Sequence, residues 1–479
     1  MSFGNYLVVS YYFGTSAVLD SYLALLASAN FLLFFVQPLR EALVPPVFSA
    51  VAADREHASK LFTAGLALQV SFALVAMAVL ISVKFNAVEI LVGKTTTYSP
   101  ELLFWFLPFF VLFPLAETCN GLLLSFNRAV FQAMARLLSA TMGLGCIWLL
   151  ADHIGVLALL LSLVIAQICN LTISSIGLWK EGIRLVWGGV LALRHEQRFK
   201  SVFSSLLLSY LFVQVYMVTE RFTMLGMFPG LVASYQYSVA LVNVLVSLLA
   251  FPLTNLLWPR FLADAVKDGT DAMLNTAFGV VAPLVLALFA CCTLTERFAP
   301  EIVKLLFERG SFDASSVVQT TQALRSTIFA AIPVSLLTIF SKILFSQGRG
   351  RAIGLSGTSV ALSGTTVVLL AGWTGSVTLV QWNWVIGNTI GLFVMLYLIL
   401  RRATASRHFL LTGWTLIWRS SLAALLAIVI TPDLTSVNTL SDIFFGLFFS
   451  CSVFSVFFVG ILYLMGILYL PNKRYGFFS

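Results

Sequence analysis

Residues 154–178 read IGVLALLLSLVIAQICNLTISSIGL, a stretch that contains no charged side chain. A helix of about twenty apolar residues crosses the hydrocarbon core of a bilayer. In lipid the backbone must satisfy its own hydrogen bonds, so such a stretch forms a transmembrane helix. The rest of the chain has the same character, since 59% of all residues are hydrophobic, 10% are charged and the mean hydropathy is +0.97. The sequence therefore predicts an all-α, polytopic membrane protein.

Similar apolar runs, separated by short polar gaps, fill the chain from end to end. They predict about fourteen transmembrane helices, at 3–16, 18–38, 61–83, 100–125, 129–150, 154–178, 201–226, 231–257, 272–294, 315–345, 352–373, 376–400, 412–431 and 441–469. Proline and glycine interrupt several of these runs, and helix breaks are tolerated where a neighbour or a cavity satisfies the freed carbonyl groups. Breaks are therefore expected at Pro108, Pro114, Gly226 with Pro229, Pro252 and Pro333.

Lysine and arginine are distributed unevenly among the gaps. Eighteen of them, including Arg40, lie in gaps on one side of the membrane, and five lie on the other side, at Lys84, Lys94, Arg297, Lys304 and Arg309. Because basic loops remain in the cytoplasm, this asymmetry predicts that both termini are cytoplasmic. The net charge of +8 follows from this topology, and no nucleic-acid partner is expected.

Short motifs recur at an offset of six predicted helices. Pro46-Val47-Phe48 corresponds to Pro259-Arg260-Phe261, and Leu124–Arg128 to Phe345–Arg349. An even number of helices gives both halves the same orientation, which predicts two pseudo-symmetric six-helix lobes, as in transporters. The predicted organisation is an N-terminal lobe at 1–180, a cytoplasmic inter-lobe loop at 181–200, a C-terminal lobe at 201–400, and two appended helices at 401–479.

Motifs of common enzyme classes are missing from the sequence. It has no P-loop, nucleophile elbow or dinucleotide-binding loop, and its six cysteines lack metal-ligand spacing. No gap exceeds about thirty residues, which leaves no extramembrane catalytic domain for a polymerase or a glycosyltransferase. The sequence thus indicates a transporter rather than an enzyme. We expect no cofactor and no metal site, while coupling to Na⁺, H⁺ or the membrane potential stays open.

Polar side chains within apolar helices are the candidates for a substrate site, because their burial in lipid is costly unless they face a cavity or a partner. The selected residues are Asp20, Asn30, Gln214, Glu220, Arg221, Tyr237 and Asn243. Glu220 and Arg221 are adjacent in a helix and point to different faces, so they are not expected to pair with each other. Each candidate also fits a structural role, as an interhelical hydrogen bond or an interface anchor.

A set of motifs spread over nearly the whole chain points to one family. They are Phe13-Gly14…Asp20-Ser21-Tyr22…Asn30, Val44-Pro45…Lys60-Leu61-Phe62, Val218–Arg221, Ala233–Tyr237, and Leu306–Asp313 followed by Thr321–Leu324. Together they resemble the MviN/MurJ family of lipid II flippases, in the MOP exporter superfamily. The resemblance implies two six-helix lobes in a V around a cationic central cavity. It also implies a groove along the last two helices for a polyprenyl tail, and a multi-pass location in the bacterial cytoplasmic (inner) membrane.

The chain departs from this family at the arginines of helices one, two and eight, which the resemblance assigns to the substrate's pyrophosphate. The matching positions are Asn5, Leu33 and Ala240. Arginine binds phosphate through charge-assisted hydrogen bonds of about 1.5–3 kcal/mol each, so several such bonds are missing. Arg221 and Arg136 are candidate replacements. This pattern favours a relative that carries a different lipid-linked glycan.

The sequence predicts a flippase that moves an undecaprenyl-pyrophosphate-linked glycan across the membrane by alternating access, for cell-envelope polysaccharide assembly. An exopolysaccharide repeat unit is slightly favoured over the peptidoglycan precursor lipid II. Expected partners are the lipid-linked oligosaccharide, the bilayer, and polysaccharide polymerases and glycosyltransferases. The alternative is a cation-coupled multidrug exporter of the same superfamily, for which Asp20, Glu117 and Glu220 would be the acidic groups.

Overall fold

The computed structural model describes residues 3–82, 100–125, 129–186, 189, 192–267, 269–347 and 349–401, and scattered residues in 419–459. Apart from short turns, these residues are helical and contain no β-strand, which confirms the all-α prediction for the described part of the chain. The helices are α1 (Phe3–Phe13), α2 (Ala17–Leu32), α3 (Val36–Ala53), α4 (Arg55–Ser82), α5 (Pro100–Ser125), α6 (Ala129–Ile154), α7 (Leu157–Lys180), α8 (Gln197–Leu225), α9 (Leu231–Lys267), α10 (Gly269–Arg297), α11 (Ala299–Phe307), α12 (Ala314–Thr327), α13 (Ala331–Ser346), α14 (Gly350–Thr374) and α15 (Val377–Leu400).

Among the described residues, eight helical segments are long and apolar enough to cross a membrane, and a ninth is obtained when the bent pair α2–α3 counts as one span. The chain is therefore a multi-pass membrane protein. The apolar segment 154–178 corresponds to α7. The total of fourteen spans stays a prediction, because predicted helices thirteen and fourteen lie largely outside the described residues.

The predicted span at 18–38 corresponds to two helices, α2 and the start of α3, which meet at a bend of 45°. Pro38 lies in the first turn of α3, where a backbone N–H has no acceptor within the helix, so proline suits a helix start at this point. The Nε2 atom of Gln69, on α4, donates to the carbonyl oxygen of Val36 at 3.3 Å. The Gln69 side chain thus joins α4 to the first turn of α3, next to the bend.

Most of the prolines expected to break a helix lie inside a continuous helix instead. Pro108 and Pro114 lie inside α5, and Pro252 lies inside α9, so breaks at these positions are wrong. A turn does separate α8 from α9 at Gly226–Gly230. A 3₁₀ segment, Ile328–Ala330, interrupts the tenth predicted span just before Pro333, which again falls in the first turn of a helix.

Residues 1–233 form one compact unit and residues 234–479 form another. In the first unit, α8 packs against α2 and α3, and α5 packs against α4 and α7. Buried amides link these helices: Asn120 Nδ2 donates to Asn170 Oδ1 at 3.0 Å, and the Ser174 hydroxyl donates to Asn120 Oδ1 at 2.7 Å. Such bonds are a usual means of helix association in a bilayer, where lipid supplies no hydrophobic drive.

In the second unit, small residues bring α14 and α15 together. A Cβ atom on Gly387 would lie 3.2 Å from the carbonyl oxygen of Val360, and one on Gly391 would overlap the Val360 side chain. The Ser356 hydroxyl donates to the carbonyl oxygen of Gly391 at 2.9 Å. This close approach is typical of small-xxx-small packing between membrane helices.

Candidate functional site

Asp20 connects the start of α2 to the start of α9. Its side chain is fully buried, and its two carboxylate oxygens accept the backbone N–H groups of Gly230 at 2.6 Å and Ala233 at 2.8 Å. Helix α9 begins directly after Gly230, which has φ +89° and no side chain with which to cap the helix. Asp20 therefore supplies from another helix the two acceptors that a capping box would provide. Its negative charge also lies at the positive end of the α9 dipole.

Arg221 and Glu220 lie near the end of α8, which packs against α2. Their exposed fractions are 8% and 4%, and Arg221 Nη2 lies 3.9 Å from Glu220 Oε2. The expectation that these two residues would not pair is therefore wrong, because long side chains can reach each other across adjacent positions. The Tyr216 hydroxyl, one turn earlier, donates to Glu220 Oε1 at 3.1 Å. Arg221 is also close enough to Asp20 for their charges to attract each other.

We call Asp20, Tyr216, Glu220 and Arg221 the Asp20 cluster. It holds two carboxylates and one guanidinium in an environment largely closed to solvent. Buried charges persist only when they are paired and hydrogen-bonded, and here backbone N–H groups, a phenol and a guanidinium meet that condition. A fixed guanidinium among acceptors is suited to bind a phosphate if one carboxylate partner is displaced.

The remaining predicted site residues are distributed over both units. Asn30 on α2 and Gln214 on α8 are half-buried, and Gln214 Oε1 accepts no hydrogen bond from the described residues. Tyr237 is buried in the second unit, with its ring 5.2 Å from that of Phe307 and 5.5 Å from that of Phe312. Asn243 is exposed. The structure thus brings together Asp20, Glu220 and Arg221, and it shows an apolar packing role for Tyr237.

A second ionic cluster was not selected from the sequence. Arg40, which was counted as a residue of a cytoplasmic gap, lies in α3, and its Nη1 atom is 2.6 Å from Glu117 Oε2 on α5. Its Nη2 atom is 3.7 Å from Glu41 Oε1, which also accepts the Tyr210 hydroxyl at 3.0 Å. Gly121 leaves room for the arginine stem, since a Cβ atom there would lie 2.6 Å from Arg40 Cγ. In the sequence, the signal that could have revealed this cluster was Gly121, one helical turn after Glu117 in an apolar run.

The positions where the family resemblance leads one to expect arginine are not equivalent in their surroundings. Leu33 and Ala240 are buried, with 3% and 5% of their surface exposed, whereas Asn5 is half-buried. Arg136, one candidate replacement, is exposed on α6. In the described part of the chain, no group of three or more His, Cys, Asp or Glu residues could hold a metal ion. Of the two candidate replacement arginines, Arg221 is buried and Arg136 is exposed.

Comparison with known proteins gives one family and one fold. The model of the family described as lipid II flippase MurJ matches residues 9–460. No curated protein sequence matches the chain significantly. Among solved structures, a lipid II flippase MurJ in an inward closed conformation has a TM-score of 0.78 at 15% identity, over 98% of this chain and 97% of that one.

Transporters of the MOP superfamily have the same fold. An inward-facing multidrug resistance MATE family transporter has a TM-score of 0.65 at 15% identity, over 85% of this chain and 94% of that one. The Vibrio cholerae MATE transporter VcmN in its bent form has a TM-score of 0.55 at 12% identity, over 85% and 98%. At these identities the structural likeness concerns the fold alone.

Proposed function

This chain belongs to the family of the lipid II flippase MurJ, and we propose that it translocates a polyprenyl-pyrophosphate-linked glycan from the cytoplasmic to the outer leaflet by alternating access. The observation that carries this proposal is the family match over residues 9–460, together with a multi-pass, all-helical fold. The proposed location is the bacterial inner membrane, with both termini in the cytoplasm. The glycan serves cell-envelope polysaccharide assembly.

The substrate we favour is an exopolysaccharide repeat unit rather than lipid II. Support comes from Asn5, Leu33 and Ala240, which occupy the positions where the resemblance implies phosphate-binding arginines. None of the three can form a charge-assisted, bidentate contact with a pyrophosphate. In this proposal Arg221 binds the phosphate late in the cycle, since the predicted topology puts it near the outer face. Glu220 and Asp20 orient the guanidinium before the substrate arrives.

The driving force proposed for the cycle is partly electrical. A headgroup with about two negative charges that moves outward against a negative interior gains roughly 4–5 kcal/mol per 100 mV. Coupling to Na⁺ or H⁺ would add to this term.

A cation-coupled multidrug exporter is the second candidate, because the MATE transporter likeness covers 85% of this chain. Such an exporter needs an acidic group that is available to its cationic cargo. Glu117 is engaged by Arg40 at 2.6 Å, and both oxygens of Asp20 accept backbone N–H groups. These contacts favour the flippase over the exporter.

Complementation tests the choice of substrate. A strain depleted of its lipid II flippase should grow poorly when this chain is expressed at native level, whereas full rescue would contradict the exopolysaccharide assignment. Ala240→Arg should improve rescue, and Ala240→Lys is the matched control because it adds charge without the planar fork of arginine. Equal effects of both variants would show that charge alone matters at position 240.

Substitution of Arg221 tests its role. Arg221→Lys keeps the charge but loses bidentate geometry, so transport should fall strongly if the phosphate contact is real. If Arg221 is only an interface anchor, the lysine variant transports normally and Arg221→Ala alone is impaired. Expression in the membrane must be measured alongside transport in both variants.

A further inference from the structure

An apolar groove lies in the first unit, and no residue of the Asp20 cluster is among the described residues that line it. Its volume is about 880 Å³, within the range of roughly 300–1,000 Å³ that small-molecule sites occupy. Helices α4, α5 and α7 form its walls, and the extended residues after α7 close one end. Apolar side chains make up nearly all of the lining, including Phe62, Leu66, Val70, Leu115, Leu171 and Leu178.

The closing segment is fixed to α4, so the groove is preformed. The backbone N–H of Arg184 donates to the Ser59 hydroxyl at 3.2 Å, and that of Val186 donates to the Thr63 hydroxyl at 2.9 Å. Ser59 and Thr63 are one helical turn apart and therefore lie on the same face of α4. Gly189 continues this contact, since a Cβ atom there would lie 2.7 Å from the Lys60 backbone.

Among the described residues that line the groove, one is charged: Arg184, at the end formed by the closing segment. It is exposed, and no acidic group among the described residues forms an ion pair with it. Trp179 and Leu185, which also line the groove, are 64% and 68% exposed. An exposed tryptophan beside basic residues is typical of the membrane–water interface, and the charge count predicts that this loop is cytoplasmic.

These features fit a lipid that has a negative headgroup. An extended peptide segment is a poor occupant, because an almost wholly apolar lining cannot satisfy its backbone N–H and C=O groups. An acyl chain needs only apolar walls, and Arg184 lies where the phosphate of that lipid would be. We propose that the groove binds one acyl chain of an anionic phospholipid from the cytoplasmic leaflet, with Arg184 contacting its phosphate. This site is separate from the proposed translocation of glycan.

Lipid binding by the purified full-length protein tests the proposal. Native mass spectrometry would count molecules of palmitoyl-oleoyl phosphatidylglycerol bound in mild detergent, with phosphatidylcholine of the same chains as the uncharged comparison. One tightly bound phosphatidylglycerol is expected, preferred by about fivefold, since one basic residue near the membrane surface contributes about that much. Equal binding of both lipids would overturn the proposal.

Two variants with matched controls localise the site. Arg184→Gln should remove the preference for phosphatidylglycerol, whereas Arg351→Gln, at an exposed arginine of the second unit, should leave it intact. Ala67→Trp fills the groove and should abolish binding of both lipids, whereas Val75→Trp adds the same bulk at an exposed position of the same helix and should not. Undiminished binding to the Arg184→Gln or Ala67→Trp protein would overturn the assignment. Displacement of the phospholipid by equimolar undecaprenyl phosphate would do so as well.

Discussion

Replacement of Asp20 by alanine removes both acceptors that fix the start of α9. Each backbone N–H to carboxylate bond contributes about 1.5–3 kcal/mol, and the donors lie at 2.6 and 2.8 Å in a fully buried site. Without its bond, each of the amides of Gly230 and Ala233 needs that much less free energy to open locally. Their hydrogen exchange should therefore accelerate by about tenfold to 100-fold. Asp20→Asn keeps one acceptor oxygen, so its effect should be smaller.

Hydrogen–deuterium exchange with mass spectrometry, on peptides that cover residues 228–236, measures this directly. Asp152→Ala is the control, because Asp152 is an exposed carboxylate on α6. Exchange in a peptide from α14 should be the same in every variant. Unchanged exchange at 228–236 in Asp20→Ala would refute the capping role, and an equal effect of Asp20→Asn and Asp20→Ala would refute the two-acceptor account.

Gly391→Val should destabilise the packing of α14 on α15 by about 1–3 kcal/mol, because the added side chain would overlap Val360 and Ser356. Gly145→Ala, at a position with open space, should not destabilise the protein. Thermal unfolding of the purified protein measures both effects. A double-mutant cycle of Arg40→Gln and Glu117→Gln should give a coupling energy of about 1–3 kcal/mol, and a value below about 0.5 kcal/mol would contradict the ion pair at 2.6 Å. Hydrogen bonds from the backbone N–H and hydroxyl of Ser316 lower the pKa of Asp313, the N-cap of α12. The ionised carboxylate therefore adds to folding stability above the ordinary carboxyl pKa, and this stabilisation is lost as pH falls through the lowered pKa. The difference in thermal midpoint between wild type and Asp313→Ala should accordingly shrink in acid, and a constant difference across pH would contradict this.

The sequence predicted the long helices well because lipid imposes one uniform requirement on every span. The run at 154–178 and helix α7, Leu157–Lys180, differ by only a few residues at each end. The bend between α2 and α3 was missed, because Pro38 suits the first turn of a new helix and leaves the apolar run unbroken. Helix α11 was missed as well, since nine residues are too few for a spanning pattern.

The candidate site was only partly predictable. Asp20 was selected because a buried carboxylate is costly. Its partners, the backbone N–H groups of Gly230 and Ala233, lie more than two hundred residues away and cannot be recognised from residue type. Arg40 was assigned to a loop because basic residues usually end a span, whereas it lies inside α3 and pairs with Glu117 on α5. Tyr237 was selected for its hydroxyl, yet its ring packs among phenylalanines.

The most direct test of the proposed function is lipid translocation by the purified protein. Proteoliposomes would contain a fluorescent undecaprenyl-pyrophosphate oligosaccharide in the leaflet corresponding to the cytoplasm, under a membrane potential that is negative on that side. We expect protein-dependent appearance of the glycan in the opposite leaflet, measured with an impermeant glycosidase. It should be faster with the potential and slower with the Arg221→Lys variant. Translocation no faster than in protein-free liposomes, across exopolysaccharide repeat units and lipid II alike, would contradict the proposed function.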